Sequence, residues 1–271
     1  MRRVRTTAAG AAAIVKRDAL IFSSYRLRFL SEFVSGALGV TLFYYVSRLV
    51  TGGAFAASDD YFAYAVVGIA VLQVLTAALV VLPMAVRQEL LTGTFERVLV
   101  SALGPVVGIL AMAVFPFASA VLSALVTIGF AALVFGMSVE WSTASLALPA
   151  AVLGSVAFLP IALLMTAAVV VVKQVGAGSG FVVTCMSLVG GVLFPVVLLP
   201  DWIEWATEAQ PLTPAVDLLR NLVVGTPISD GSVWEAAGRL AAFALVLMPP
   251  AILALRASLR GTQRRGTILE Y

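Results

Sequence analysis

Long apolar runs separated by short polar breaks fill this chain, and they recur too often for the core of a soluble domain. The runs are continuous rather than alternating, which predicts helical spans and not the short strands of a membrane barrel. Six spans are expected, at about 33–50, 61–86, 106–135, 146–172, 181–199 and 235–255. The breaks carry ordinary helix-ending chemistry: Thr51-Gly52-Gly53 with Asp59-Asp60, Gly104-Pro105, the polar stretch 136–145, and a glycine-rich inner turn at 176–180. Gln73 is the one strongly polar side chain inside the second span and is expected to make an interhelical hydrogen bond. Pro83 is expected to kink the end of that span. Ser119, Ser123 and Thr127 recur at a spacing of four and suggest a small-residue packing face.

Three stretches fall outside the spans. Residues 1–32 begin with several residues expected to be loose. From about residue 11, apolar positions then alternate with Lys16, Arg17, Arg26 and Arg28, the pattern of an amphipathic helix lying at the membrane interface against lipid headgroups. Residues 87–104 hold the one internal run of interspersed charge of both signs. Residues 200–234 are too polar to cross yet rich in Trp202, Trp205, Leu218, Leu219 and Leu222. Two short helices at the outer interface are expected there, with Asp217 and Arg220 three apart and able to pair. The whole is expected to be one all-α polytopic membrane domain over residues 1–271.

Composition sharpens this picture. Hydrophobic residues make up 61% of the chain and charged ones 11%, so the placement of the few charges decides topology. With the amino terminus inside, fourteen of the seventeen Lys and Arg fall on inner segments, leaving Arg48, Arg220 and Arg239 elsewhere. Nine acidic residues, from Asp59 to Glu235, fall on the outer side. That asymmetry predicts cytoplasmic termini and a cytoplasmic 87–104.

Chemistry is mostly excluded. The chain has no histidine, which removes zinc-hydrolase and Ser-His-Asp arrangements, and one cysteine, Cys185, in an apolar run. The glycines at 176–180 lack the Gly-Lys-Ser/Thr ending of a nucleotide-binding loop. No catalytic residue, metal ligand or cofactor site is expected in this chain, and nucleic acid is not an expected partner. The span centres carry no acid or base, which disfavours an ion-coupled carrier without removing it.

The stretch Glu89-Leu-Leu-Thr-Gly93-Thr94-Phe-Glu96-Arg97-Val-Leu99-Val-Ser101 resembles the E-x-x-x-G-T-x-E-x-L-x-x-S-P-L run of the permease subunits of ABC-2 type transporters. Ser24-Tyr25-Arg26, Phe194-Pro195 with Leu199-Pro200-Asp201-Trp202, and Pro211-Leu-Thr213-Pro214-Ala-Val-Asp217-Leu-Leu-Arg220 extend the similarity over nearly the whole chain. Departures include Ala102 where proline is commoner and Pro214 where an aromatic is often found. The resemblance implies that 87–104 is a coupling helix docking into a separate ATPase subunit, with Glu89, Gly93, Thr94, Glu96 and Arg97 at the matching positions. It also implies two ATPase copies carrying ATP and Mg, a second permease copy or a related permease, and short external helices before the last span. There, Asp217 and Arg220 would serve as an external gate or a structural pair. The location implied is a bacterial or archaeal plasma membrane. The function implied is export of an amphipathic drug-like or lipid-like substrate. The alternatives are a polysaccharide or glycolipid exporter, a non-transporting scaffold regulated by an ATPase, and an ion-coupled secondary carrier.

Overall fold

The computed structural model describes residues 2–24, 26–49, 58–95, 103–172, 176–228 and 231–264, which are helical with no strand among them. Helix α1 is Arg2–Ser24 and α2 is Arg26–Leu49. Helix α1 is regular from Arg2, so the expected loose start is corrected. Ala8, Ala9 and Ala11–Ala13 favour helix strongly enough to carry the fold of the chain into the first turns. Next come α3, Ser58–Thr76, a π-helical turn Ala77–Val81, and α4, Leu82–Leu91, forming one unbroken 34-residue rod. Helix α5 is Pro105–Phe135, α6 the single turn Trp141–Ala144, and α7 Ala147–Val172. Helix α8 is Gly176–Val189, followed by a 3-10 turn at Val196–Leu198, α9 at Asp201–Glu208, α10 at Leu212–Val224 and α11 at Val233–Arg264.

Among the described residues, four helices are long and apolar enough to cross a membrane: Ser58–Leu91, Pro105–Phe135, Ala147–Val172 and Val233–Arg264. Two shorter apolar helices, Phe33–Leu49 and Gly178–Val189, occupy the places of the expected first and fifth spans. The fifth differs most from expectation. Its helix starts at Gly176, so the glycines at 176–180 are its first turn and not a separate loop. It stops at Val189, where the expected span ran on to 199. The break lies at Gly190-Gly191, where Gly191 takes a left-handed φ of 68° that side chains with a Cβ rarely adopt.

Packing follows small residues. Helices α7 and α11 make the most extensive helix pair. On α11 the buried positions Ala236, Leu240, Ala244, Ala251, Leu255 and Leu259 recur at i, i+4 and i+7, a stripe on one face. The rod α3–α4 lies at the centre, with α5, α10 and α2 around α3, and α7 against α4 and the π turn. Alanines and glycines on these faces let backbones approach closely, which substitutes for the hydrophobic drive that lipid does not supply. An aromatic cluster of Tyr44, Phe62 and Phe135 joins α2, α3 and α5, with the Tyr44 and Phe135 rings stacked at 4.5 Å.

The π turn is the answer of the rod to Pro83. A proline ring clashes with the carbonyl four residues back and has no N–H to offer it. Here the ladder widens just before Pro83, and the Leu82 N–H bonds the Ala77 carbonyl, five residues back. The inferred irregularity is therefore present as a widened turn, and the helix continues to Leu91.

Candidate functional site

The charged island seen in the sequence lies at the Leu91 end of the rod. Helix α4 stops there because Gly93 adopts φ 70° and its N–H bonds the Leu90 carbonyl at 3.2 Å, a helix end that favours glycine. Thr92 Oγ1 donates to the Gln88 carbonyl at 2.9 Å and lies 2.8 Å from the Thr94 hydroxyl. Thr94 hydrogen bonds the Glu89 carboxylate through its own hydroxyl. The other Glu89 oxygen meets Arg17 Nη1 of α1 at 2.8 Å, and Arg17 also meets Asp18 at 2.8 Å. Glu89 therefore ties three pieces together: the last turn of the rod, the Gly93 turn, and the amino-terminal helix. Phe95 follows, buried to 1% exposure, and seats the turn on the core. Helix α1 is held against α5 by the edge-to-face pair Phe22–Phe115, ring centres 5.5 Å apart. Glu96 and Arg97 lie outside the described residues.

A second constellation lies toward the Ser58 end. Arg220 of α10 is 2% exposed and is the largest fully buried side chain. Its guanidinium donates four hydrogen bonds to backbone carbonyls: Nε and Nη2 to Tyr64 at 3.1 and 3.0 Å, Nη1 to Gly191 at 2.8 Å, and Nη2 to Val192 at 2.7 Å. The Tyr64 hydroxyl donates to the same Gly191 carbonyl at 3.0 Å, and the Arg220 carbon Cζ lies 3.2 Å from the centre of the Tyr64 ring. The geometry explains why α8 can end inside the bundle. Helix ends leave carbonyls without partners, and buried ones must be met. Arg220 meets those of the Gly191 turn, and its positive charge also suits the negative end of a helix dipole. Gln210 Nε2 supports the turn before it through the Met186 carbonyl at 3.3 Å.

Burial lowers the Arg220 guanidinium to about 10, while Tyr64 and Asp217 favour its charged form, so it stays protonated at neutral pH. Asp217 thus acts on Arg220 through its charge, and the carbonyl bonds join three chain segments. Gly68 makes the close approach possible, because a Cβ there would overlap the Val192 carbonyl and crowd Arg220 Nη2. The far end of α10 is held as well. Glu140 N–H donates to the Val223 carbonyl at 2.8 Å, Thr143 Oγ1 donates to that of Leu222 at 2.8 Å, and Gly225 closes the helix at φ 75°.

Sequence reasoning placed Asp217 and Arg220 on an interface helix. In the structure α10 is buried on most of its surface against α3, α7 and α11. On the helix Asp217 and Asn221 lie to one side of Arg220 and form the half-buried face of α10, so the burial of Arg220 is set by the elements packed against it and not by a local pattern. Helix α9 does keep Trp202 and Trp205 exposed. Asp201 stands at its first position rather than as a cap. Gln73 makes the expected interhelical bond, its Nε2 donating to Thr127 Oγ1 at 2.9 Å. Of the three spaced hydroxyls, Thr127 is buried while Ser123 is exposed, so they do not share one packed face. Tyr64, Gly68 and Arg17 were not anticipated, since their roles exist only through residues remote in sequence. Among the described residues no His, Cys, Asp and Glu side chains cluster as metal ligands.

The family model of the ABC-2 type transporter matches residues 13–224, from within α1 through the whole of α10. The chain belongs to the ABC-2 type transporter family. Over 101 residues it is 31% identical to nodulation protein J of Rhizobium meliloti (strain 1021), a match covering 37% of this chain and 38% of that protein. Both constellations fall within the reach of the ABC-2 match, and the α7–α11 pair extends beyond it. The protein is thus a multi-pass membrane protein of this permease family, and the motif residues Glu89, Gly93 and Thr94 converge on one joint at the end of its central rod.

Proposed function

We propose that this chain is the permease subunit of an ATP-driven exporter for an amphipathic drug-like or lipid-like substrate. In this reading it has six spans with both termini cytoplasmic, and residues 87–104 dock into a separate ATPase subunit that supplies ATP and Mg. Two permease copies enclose the pathway and two ATPase copies drive it.

The observation that carries this reading is the joint at Glu89. A docking element transmits force only if it is rigidly attached to a span. Here the Gly93 turn is pinned through Thr94 and Glu89 to a rod of 34 residues, and through Arg17 to α1. At ~1.5 Å per residue the rod reaches about 51 Å, enough to cross the bilayer and carry a displacement from one face to the other. The Arg220 carbonyl bonds attach the same rod to α10 and to the end of α8, so motion of the joint reaches the 200–234 region. The apolar spans suit an amphipathic cargo better than a strongly polar glycan.

The test is reconstitution of the full chain with its partner ATPase in lipid vesicles. Compound-stimulated ATP hydrolysis and vesicle efflux are expected from the wild-type pair. Glu96→Ala and Arg17→Glu should reduce complex formation or stimulated hydrolysis while membrane insertion persists. Unchanged hydrolysis and binding in both variants would remove 87–104 from coupling. Absence of efflux across a broad compound panel, with an active ATPase bound, would instead favour the regulated scaffold.

A further inference from the structure

One face of the last helix is left uncovered among the described residues. Helix α11 packs on α7 and α10, and lightly on α5, through a stripe that ends in Ala251, Leu255 and Leu259. On the other side Leu245, Val246, Pro249 and Leu253 are exposed. Arg256, Arg260 and Arg264 follow at successive steps of four and are exposed as well. At about 100° per residue all of these fall within one sector roughly 100° wide. A single face is therefore first apolar and then cationic.

The three arginines are unpaired. None of them makes an ion pair or a side-chain hydrogen bond among the described residues. The helices packed against α11 offer no partner: α5 and α7 carry no charged residue, and Asp217 of α10 stands with Arg220 toward the Ser58 end. Helix α11 itself has no acid after Glu235. Like charges one turn apart repel, so an anion that meets them is favoured. Depth narrows the choice. Only the stretch 225–232 separates α10 from α11, so α11 starts near the Ser58 end and its arginines lie at the Leu91 end. From Leu240 to Leu255 it carries no charge, a length of roughly 24 Å against a hydrocarbon core of about 30 Å. Arg256 thus stands at the edge of the hydrocarbon, with Arg260 and Arg264 about 6 and 12 Å further out. Helical side chains lean toward the N-terminus of their helix, here back toward the bilayer, so both outer arginines still reach the headgroup layer.

We propose that this face of α11 binds an anionic phospholipid, its acyl chains along Leu245–Leu253 and its phosphate on Arg256, Arg260 and Arg264. A guanidinium suits that phosphate, since it stays charged and can meet two of its oxygens at once. A lipid fits better than an acidic protein surface because the cationic turns continue the same face that hydrocarbon meets. A soluble partner would approach the end of the helix instead. The inference stands on α11 alone and does not depend on the exporter reading.

The experiment uses the full chain purified in detergent and titrated with phosphatidylglycerol or phosphatidylcholine, with the thermal midpoint as readout. In the wild type, phosphatidylglycerol should act at a concentration roughly tenfold lower or less, since an arginine near an anionic surface contributes about fivefold. High salt should shrink that preference. Arg256→Gln, Arg260→Gln and Arg264→Gln together should abolish it, while Arg256→Lys, Arg260→Lys and Arg264→Lys together should keep most of it. Arg239→Gln, near the other end of the helix, should leave it unchanged. Size-exclusion profiles and lipid-free midpoints establish that each variant is folded. Should the triple glutamine variant not fold, each glutamine change made singly should lower the preference by about threefold. Equal action of the two lipids on the wild type overturns the proposal, as does an undiminished preference in the folded glutamine variants. A preference lost with Lys16→Gln and Arg17→Gln but kept without the three arginines moves the lipid to α1 and overturns it too. An equal shift from glycerol 3-phosphate assigns the face to a soluble anion, and loss of ATPase binding with the lipid preference intact assigns it to a protein; either result removes the lipid.

Discussion

An arginine holds the central rod toward each end, and the two arginines are held in opposite ways. Arg220 is buried at 2% exposure and bonds backbone carbonyls of Tyr64, Gly191 and Val192. Arg17 has a side chain 42% exposed and bonds the carboxylates of Asp18 and Glu89. The first arrangement has no substitute in water. Removing the guanidinium would strand carbonyls inside the bundle. The second is open on one side: the Arg17 side chain faces solvent, while the Glu89 and Asp18 side chains are only 15% and 18% exposed. A buried clamp suits a part of the molecule that moves as one piece. A solvent-facing ion pair gives an attachment whose strength depends on salt.

The comparison can be broken most forcefully at Arg220. Arg220→Gln should destabilise the chain by about 3–5 kcal/mol, the range for breaking a buried charged network, seen as a large fall in the thermal midpoint or loss of monodisperse protein. A midpoint within a degree of wild type would show that the clamp is dispensable. Lysine at 220 keeps the charge without the planar fork and should fall between the two. Gly68→Ala comes next, at about 1–3 kcal/mol, because the added methyl overlaps the Val192 carbonyl and the backbone must shift. Gly191→Ala should cost about 1–2 kcal/mol through its left-handed φ, with further crowding against Val196. Proteolysis near residues 190–200 should accelerate in both glycine variants, and unchanged cleavage would contradict the role assigned to the turn.

The smallest effect is expected at the other arginine. Arg17→Gln should change the stability by about 1 kcal/mol or less, read as a small midpoint shift that high salt shrinks further. Its signature is functional: stimulated hydrolysis by a docked ATPase should fall in Arg17→Glu and recover in Arg17→Glu with Glu89→Arg. If Arg17→Gln destabilises as much as Arg220→Gln, the distinction between a buried clamp and a solvent-facing tie is lost.

Much of the helical layout was legible because hydrocarbon imposes it. Three long helices and the Leu91 end of the rod could be placed from apolar runs and from Gly104, Pro105 and Gly136. The Glu89–Thr94 stretch stood out because charge is rare in this chain. The fifth span was overextended to residue 199 since Val192, Leu193 and Val196–Leu199 are as apolar as a span. Only the partners at Arg220 and Tyr64 make it tolerable for the helix to stop at Val189. Asp217, Arg220 and Asn221 give α10 a polar side in sequence, and the burial of Arg220 follows only from the elements packed against it. A buried arginine is rare enough that composition argues against it, and four hydrogen bonds to three backbone carbonyls are needed to reverse that argument.

The sequence by itself determined that this chain is an all-helical, multi-pass membrane protein with a charged turn between two of its longest helices. Those conclusions need only local facts: the length of apolar runs, the rarity of charge, and the residues that end helices. Tertiary structure decided which polar groups meet. Arg220 and Tyr64 are 156 residues apart, and Arg17 reaches Glu89 from a separate helix. Hydrogen bonds of that kind depend on distances of about 3 Å between backbones brought together by packing, and a hydropathy pattern specifies the faces that pack but not the register at which they do.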